Sequence, residues 1–406
     1  MDEVVDEILV RCPPDDPARL LRAALVCRRW RRIVSDPGFR RRFIERHRAP
    51  PMLGFLCNVP DDDLYLTARF VPTLDFRPRR AVGDRRRAVD ARHGRVLLHS
   101  VPLDKVSFRF DLVVWDPITD EQRALPRLSL HASPWTWNAA VLCAGVGGGC
   151  DHLDCHCAPF LVHFVAVFND RIVSCVFSSE TGDWGKPAFF HCPSNGDLRL
   201  EPSVLVGNAL HFVILFPAST RILQVELATG DMSVIDLPPT FDKQPHILLM
   251  TTEDNGLGFA TIHQSKVYLW SKVDGIDGDA IWDLSRVIEL ETLLPTDALS
   301  VSISPHVVGF ADGIGDIFLG TEVGYFTINP KTNRVKKVVE DAGFFGIFLH
   351  KLLHSSVGGH RSPLHKALAL RSDVGLFTGM RKTTSSMSSS ISNGGGAMVG
   401  GVLARI

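Results

Sequence analysis

The chain has 406 residues, a formal net charge of −1 and 45% hydrophobic residues, a balance typical of an ordinary soluble globular protein. The near-zero net charge argues against a dedicated nucleic-acid binder, and no run of about twenty apolar residues predicts a membrane span. The acidic, amphipathic N-terminus does not have the pattern of a signal peptide, so the nine cysteines are interpreted as reduced thiols of a protein in the cytoplasm and/or nucleus.

The first fifty residues predict three short helices. The first covers Asp2 to about Arg11, and its apolar residues recur at helical spacing: Val4, Val5, Ile8 and Leu9. Pro13-Pro14 ends this helix, because proline donates no backbone hydrogen bond and clashes with the preceding turn.

The second and third helices each begin at an aspartate followed by proline, the residues expected at a helix N-cap and first turn. The second helix is predicted from Pro17 to Val34, with one apolar stripe: Leu20, Ala24, Cys27, Trp30 and Val34. Ser35-Asp36-Pro37 opens the third helix, where Phe39 and Phe43 lie one turn apart. Three helices in fewer than about fifty residues bury little surface, so we expect part of their apolar surface to meet a partner or the rest of the chain.

At these residues the chain resembles the F-box of the large plant group of F-box proteins. The resemblance rests on DEVVDEILVRCPPDDPARLLRAALVCRRWRRIVSDPGF, with its leucine-rich first helix, Pro-Pro-Asp-Asp linker and L-x-x-A-x-x-V-C-x-x-W helix. It implies that residues 1–48 bind a Skp-type adaptor and, through it, a cullin. The residues expected to contact the adaptor or to support that contact are Val5, Ile8, Leu9, Leu20, Cys27 and Trp30.

Two features of this segment leave alternatives open. The family usually has Leu-Pro just before the Asp-Glu, where this chain has Met1, so a weaker adaptor contact or a truncated start is expected. Arginines are also dense between positions 28 and 48, at Arg28, Arg29, Arg31, Arg32, Arg40, Arg41, Arg42, Arg46 and Arg48. They fit a solvated helix face best, and nucleic-acid binding or nuclear import is the alternative.

From about Leu53 the chain changes to short β-branched and aromatic runs broken by turn residues. One hairpin unit recurs, at residues 112–125, 174–187, 222–238 and 324–338, with a fifth, extended version at 266–284 and a further candidate unit at 53–103. Four of these units carry a turn threonine: Thr119, Thr181, Thr229 and Thr332. An aspartate or glutamate before the turn, followed by Thr-Gly or Thr-Asn, is a pattern that favours a tight turn with positive φ.

A repeat of about fifty residues with several strands favours propeller blades. The predicted fold is therefore α+β and multidomain: a small N-terminal three-helix F-box, then a mainly antiparallel β domain over residues 53–350, an irregular β-propeller. This region resembles the F-box-associated β domain, in which V-V-W-D-P-x-T recurs. A β-sandwich or partly closed barrel is the alternative. Residues 351–382 stay unassigned, and the Ser/Gly-rich residues 383–406 are expected to be disordered.

The one candidate metal cluster lies within residues 145–160, at Cys150, His152, Cys155, His156 and Cys157. Structural zinc sites pair two ligand groups separated by many residues, and the second group is absent here. We therefore expect a polar loop with no metal, and no cofactor elsewhere. Gly145–Gly149 has no following Lys-Ser/Thr, so it is not a phosphate loop, and the serine-hydrolase, zinc-protease and kinase motifs are also missing.

These patterns predict a non-catalytic substrate receptor of a Skp–cullin–F-box ubiquitin ligase. Its β domain would hold an unknown protein substrate, through loops such as Asn58–Asp63, Leu130–Asn138 and Gly145–Ala158, and it would bind neither nucleic acid nor membrane. The alternatives are an adaptor-independent interaction scaffold and a kelch-type ligand-binding propeller.

Overall fold

The computed structural model describes seventeen stretches of the chain: residues 2–12, 17–47, 52–60, 66–72, 77–78, 85–100, 110–117, 119–130, 134–145, 158–169, 171–191, 196–241, 246–274, 280–299, 304–311, 315–339 and 345–351. Contacts divide the chain into two units, Met1–Ser362 and Pro363–Ile406. The predictions for residues 351–382 and 383–406 therefore fall almost wholly outside the described residues, and so does the cysteine- and histidine-rich cluster at 150–157.

The described residues of the N-terminal region form four helices rather than the three predicted. They are α1 (Asp2–Val10), α2 (Pro17–Val26), α3 (Arg28–Ser35) and α4 (Pro37–His47). The predicted second helix is divided at Cys27, whose backbone is extended (φ −159°, ψ 165°) and whose sulfur accepts a hydrogen bond from the Trp30 N–H at 3.4 Å. Cys27 is thus an exposed N-cap and not a member of the buried stripe.

The break at Cys27 allows the helices to enclose a core. An unbroken helix from Pro17 to Val34 would be about 27 Å long and would carry its two ends away from one another. With the break, residues of all four helices meet in one apolar cluster: Leu9, Val10, Leu20, Ala23, Ala24, Val34, Phe39 and Phe43.

Polar contacts hold α4 in place. Asp36 caps its N-terminus by accepting a hydrogen bond from the Phe39 N–H at 3.0 Å, as the Asp-Pro pattern predicts. Arg42 Nη2 lies 2.6 Å from both carboxylate oxygens of Asp6 on α1. His47 Nε2 donates to the Val10 carbonyl at 2.8 Å, which satisfies a carbonyl left free at the end of α1.

The β domain consists of consecutive antiparallel sheets. Among the residues that the structure describes, β1 (Met52–Pro60) and β2 (Leu66–Pro72) come first, and five blades follow. The first blade contains β3 (Arg86–Arg92), β4 (Arg95–Ser100), β5 (Asp111–Trp115) and β6 (Gln122–Ala124). The second contains β7 (Thr136–Cys143), β8 (Phe160–Val167), β9 (Arg171–Ser178), β10 (Asp183–Trp184) and β11 (Ala188–His191).

The other three blades repeat this order. The third contains β12 (Asp197–Leu198), β13 (Val204–Val206), β14 (Ala209–Leu215), β15 (Thr220–Glu226) and β16 (Met232–Asp236). The fourth contains β17 (Ile247–Thr251), β18 (Leu257–His263), β19 (Lys266–Asp274) and β20 (Ala280–Glu289), and two 3-10 turns, Leu290–Thr292 and Thr296–Leu299, follow it. The fifth contains β21 (His306–Ala311), β22 (Asp316–Thr321), β23 (Gly324–Asn329) and β24 (Arg334–Val339).

One further sheet joins the two ends of the β domain. Its order is β2-β1-β25, where β25 is Phe345–Lys351. β25 contacts β21 of the fifth blade and β3 of the first, so the series of sheets returns to its start. This is the propeller-like arrangement that the repeat predicts. Residues 53–103 do not form a repeat unit of their own, because they are divided between this closing sheet and the first blade.

The five predicted hairpins are the outer strand pairs of the five blades. Four of their turns place a positive φ directly after the turn threonine, at Asp120 (63°), Gly182 (75°), Gly230 (75°) and Asn333 (54°). In each, that residue's N–H donates to the carbonyl four residues earlier, at 2.8 or 2.9 Å. Three turn threonines also accept a hydrogen bond from the N–H two residues later: Thr119, Thr229 and Thr332.

Apolar side chains fill the space between neighbouring blades. β8 shows the pattern: Val162 and Phe164 join the cluster toward the first blade, whereas Val165 and Val167 join the cluster toward the third. Because both faces of such a strand are buried, its sequence is almost continuously apolar. Similar clusters lie between each later pair of sheets and on both sides of the closing sheet.

Buried polar side chains also connect the sheets. Asn58 on β1 donates to the Ala88 carbonyl at 2.9 Å and accepts from the Ala88 N–H at 2.8 Å. Asn138 on β7 donates to the carbonyls of Arg199 and Glu201 at 2.8 and 3.0 Å. Both asparagines are buried, so the prediction that they belong to exposed loops is wrong. An asparagine is polar enough to predict a loop, but here it satisfies backbone groups that the sheets leave unpaired.

No helix among the described residues has the length and apolar character needed to cross a bilayer. The same residues contain no group of three or more histidine, cysteine, aspartate or glutamate side chains arranged to hold a metal ion.

Candidate functional site

Helix α1 has two apolar faces. Leu9 and Val10 are buried in the helical core, and Val5 packs against it half-buried. Val4 and Ile8, one turn apart on another face, are 61% and 58% exposed. A short helix needs only one apolar face to pack into its own core. The second, exposed apolar face of α1 does not contribute to this core, so it is available to a partner.

The end of α2 provides a second exposed apolar site. Leu25 is 60% exposed and Val26 is 65% exposed, immediately before the break at Cys27. The break explains this exposure, because the chain changes direction there and the next helix, not this one, continues toward the core through Val34. Cys27 itself is exposed at the start of α3.

The structure sorts the six residues that the sequence proposes for adaptor contact. Leu9 and Leu20 are buried core residues, Val5 and Trp30 are half-buried against that core, and Ile8 and Cys27 are exposed. Their roles toward an adaptor stay a prediction. Sequence reasoning misses Val4, Leu25 and Val26 as exposed positions. The i, i+4 spacing of Val4 and Ile8 signals their shared face, but it cannot show which apolar face of α1 turns inward.

Arginines surround these apolar sites. The described arginine side chains of the dense run are all exposed: Arg28, Arg29, Arg31, Arg32, Arg41, Arg42 and Arg46. The hydrophobic stripe of α3 and the core of α4 lie on the other sides of these helices, as expected of a solvated face. A partner that covers Leu25 and Val26 would therefore also meet positive charge at Arg28 and Arg29.

Comparison with known proteins assigns the helical region to a family. Residues 2–46 match the family model described as F-box-like. These helices are an F-box-like domain. The match spans the four helices and both exposed apolar sites. It ends where the helical region ends, one residue before His47 at the end of α4.

The similarity to F-box proteins extends into the β domain. An F-box protein of Arabidopsis thaliana is 23% identical over 318 residues, which cover 70% of this chain and 68% of that protein. Among solved structures, TolB of Acinetobacter baumannii has a TM-score of 0.40 at 12% identity, covering 78% of this chain and 72% of TolB. A protein from Lactobacillus plantarum has a TM-score of 0.43 at 10% identity, covering 74% and 100%. Since both scores are low, the blade arrangement rests on this chain's own strand pairing.

Proposed function

We propose that this chain is a substrate receptor of a Skp–cullin–F-box ubiquitin ligase in the cytoplasm or nucleus. The F-box-like helices would bind a Skp-type adaptor, and the adaptor would connect the receptor to a cullin. The observation that carries the proposal is the pair of exposed apolar sites, Val4 with Ile8 and Leu25 with Val26, on a domain that matches the F-box-like family.

The β domain would hold the target protein. Such a receptor contributes position rather than catalytic groups: it keeps a target lysine near a charged ubiquitin-conjugating enzyme, which raises its effective concentration. A ring of packed blades suits this role because the rigid strands fix the loops and cleft walls that meet the target.

Co-purification with a Skp-type adaptor tests the proposal. We expect the native chain to bind, and we expect Ile8→Asp or Val26→Asp to weaken binding by about 100-fold, because a charge would be buried without a partner. Leu200→Asp is the matched control. Leu200 is a 46% exposed apolar residue of the β domain, so the same change there should leave adaptor binding intact.

A version extended by Leu-Pro before Asp2 completes the experiment. Binding that appears only in the extended version would show that the Leu-Pro pair supplies a necessary part of the contact. If neither version binds, or if both aspartate variants bind as well as the native chain, the receptor proposal fails in favour of an adaptor-independent scaffold.

A further inference from the structure

A cleft of about 290 Å³ opens at the edge of the second blade. One wall is the segment Arg127–Leu130, which follows β6 of the first blade. Trp184 and Phe189 form the other walls. The floor consists of Val173 and Cys175 of β9. The volume is close to the lower limit of small-molecule pockets, so it suits one large side chain or a short segment better than a bulky ligand.

The apolar part of this cleft is rigid. The Trp184 ring lies 5.6 Å from the Phe177 ring and 6.3 Å from the Phe164 ring, both of which are buried. Its indole N–H donates to the Pro126 carbonyl at 2.8 Å. A preformed wall of this kind lowers the entropy cost of binding, because little has to be ordered when a ligand arrives.

Exposed aromatic rings border the cleft. Phe189 is 60% exposed, and Phe168 also lines the opening. Trp135, which is 70% exposed, donates its indole N–H to Asn169, the residue that follows Phe168. Large aromatic side chains grouped at the surface of a folded domain mark an interaction site more often than isolated apolar residues do.

The charge of the cleft favours an acidic ligand. The Arg171 guanidinium lies 6.0 Å from the Phe168 ring centre and 5.6 Å from that of Phe189, and it has no carboxylate partner among the described residues. Arg127 adds a second positive charge, only loosely paired with Asp111 at 3.4 Å. Among the described residues of the lining, Asp183 is the single acidic one, so two positive charges face one negative charge.

We propose that this cleft binds a short acidic segment of the target protein that carries one aromatic or similarly large apolar side chain. The apolar side chain enters between Trp184 and Phe189, and a neighbouring carboxylate pairs with Arg171. The assignment of this segment to a ubiquitination target rests on the proposed function. The binding chemistry rests on the cleft alone. A nucleic acid fits less well, because the cleft has room for only one ring.

Ligand-observed saturation-transfer NMR with the full chain tests this inference, using three peptides. The first has one phenylalanine between two glutamates, the second has glutamines in place of the glutamates, and the third has alanine in place of the phenylalanine. We expect the first to bind at least tenfold more tightly than the other two. Arg171→Glu and Phe189→Ser should each weaken its binding at least tenfold.

Arg221→Glu is the matched control for Arg171→Glu. Arg221 lies over Phe216 at the corresponding turn of the third blade, 5.4 Å from the ring centre, but it is paired with Asp236 at 2.9 Å. Its variant should bind the first peptide as the native chain does. Equal binding of all three peptides, no binding of the first, or indifference to Arg171→Glu would overturn the inference. Displacement of the peptide by a short oligothymidylate would also overturn it, in favour of a nucleic-acid site.

The adaptor assay separates the two proposals. Peptide binding should survive Ile8→Asp, and adaptor binding should survive Arg171→Glu, because the two changes lie in different domains. If the chain binds the peptide but no adaptor, the result supports the proposed peptide site and contradicts the proposed role in a ubiquitin ligase.

Discussion

His163 gives a quantitative test of the packing between the second and third blades. It lies in the middle of β8, between Ala140 of β7 and Val176 of β9, and only 2% of its surface is exposed. Its Nδ1 has no hydrogen-bond partner among the described residues. Because burial penalises the charged imidazolium, the pKa of His163 falls from 6.5 to about 4.

The sign of the effect follows from proton linkage. The unfolded chain binds a proton at His163 with an ordinary pKa of 6.5, whereas the folded chain resists protonation down to about 4. The stability associated with His163 is therefore complete above pH 6.5 and is lost as the pH falls toward 4. From the cited pKa change and a value of about 1.4 kcal/mol per pH unit, the loss is about 2 kcal/mol at pH 5 and about 3 kcal/mol below pH 4.

Urea unfolding of the native chain and of His163→Gln at pH 7 and pH 5 measures this loss. The free energy of unfolding of the native chain should fall about 2 kcal/mol further than that of the variant between the two pH values. Burial lowers the pKa of His211 and His306 as well, but both remain in each protein, so their contributions cancel in the comparison.

His263→Gln is the control for replacing an exposed histidine, because His263 lies exposed at the end of β18. If His163→Gln and the native chain lose stability in parallel between pH 7 and pH 5, His163 is not held neutral by burial, and the described packing around it is wrong.

Three further substitutions test local features by urea unfolding. Cys27→Ala should lower the free energy of unfolding by about 1 kcal/mol, because it removes the N-cap acceptor of the Trp30 N–H. Cys27→Ser should preserve the cap. Equal losses in the two variants would exclude a capping role. Asn138→Ala should lower the free energy of unfolding by about 2 kcal/mol because two part-buried carbonyls lose their donor, and a loss under about 0.5 kcal/mol would contradict that geometry. Gly182→Ala should lower the free energy of unfolding by about 1 kcal/mol because of its positive φ alone, since nothing lies within 4 Å of an added methyl group. Gly182→Asn should lower it less, because asparagine tolerates positive φ better than alanine does.

The hairpin turns are predictable from the sequence because their causes are local. An acidic or polar residue, a threonine and a residue that tolerates positive φ lie close together in the chain, and each turn closes its own hydrogen bonds. The cap at Asp36 and the helix start at Pro37 are predictable for the same reason. The sequence is less informative at Cys27, because cysteine is a rare N-cap and the apolar spacing continues through the break.

The candidate sites could be predicted only in part. The sequence identifies the F-box-like segment and its apolar residues, but α1 has two apolar faces, and only packing against Phe39 and Phe43 decides that Leu9 turns inward and Ile8 outward. The cleft beside Trp184 has no sequence signal. Arg127 and Arg171 are far apart in the chain and meet only because two blades pack side by side.

The sequence by itself determined the helical start, the run of antiparallel hairpins and the turn conformations, because these depend on residues that are close together in the chain. The tertiary structure alone decided how the ring returns on itself through β25 and β1, how Asn58 and Asn138 are buried, and which apolar side chains remain exposed. These features depend on contacts between distant segments, and those contacts are fixed by the shapes and unpaired backbone groups of whole sheets, which no short pattern encodes.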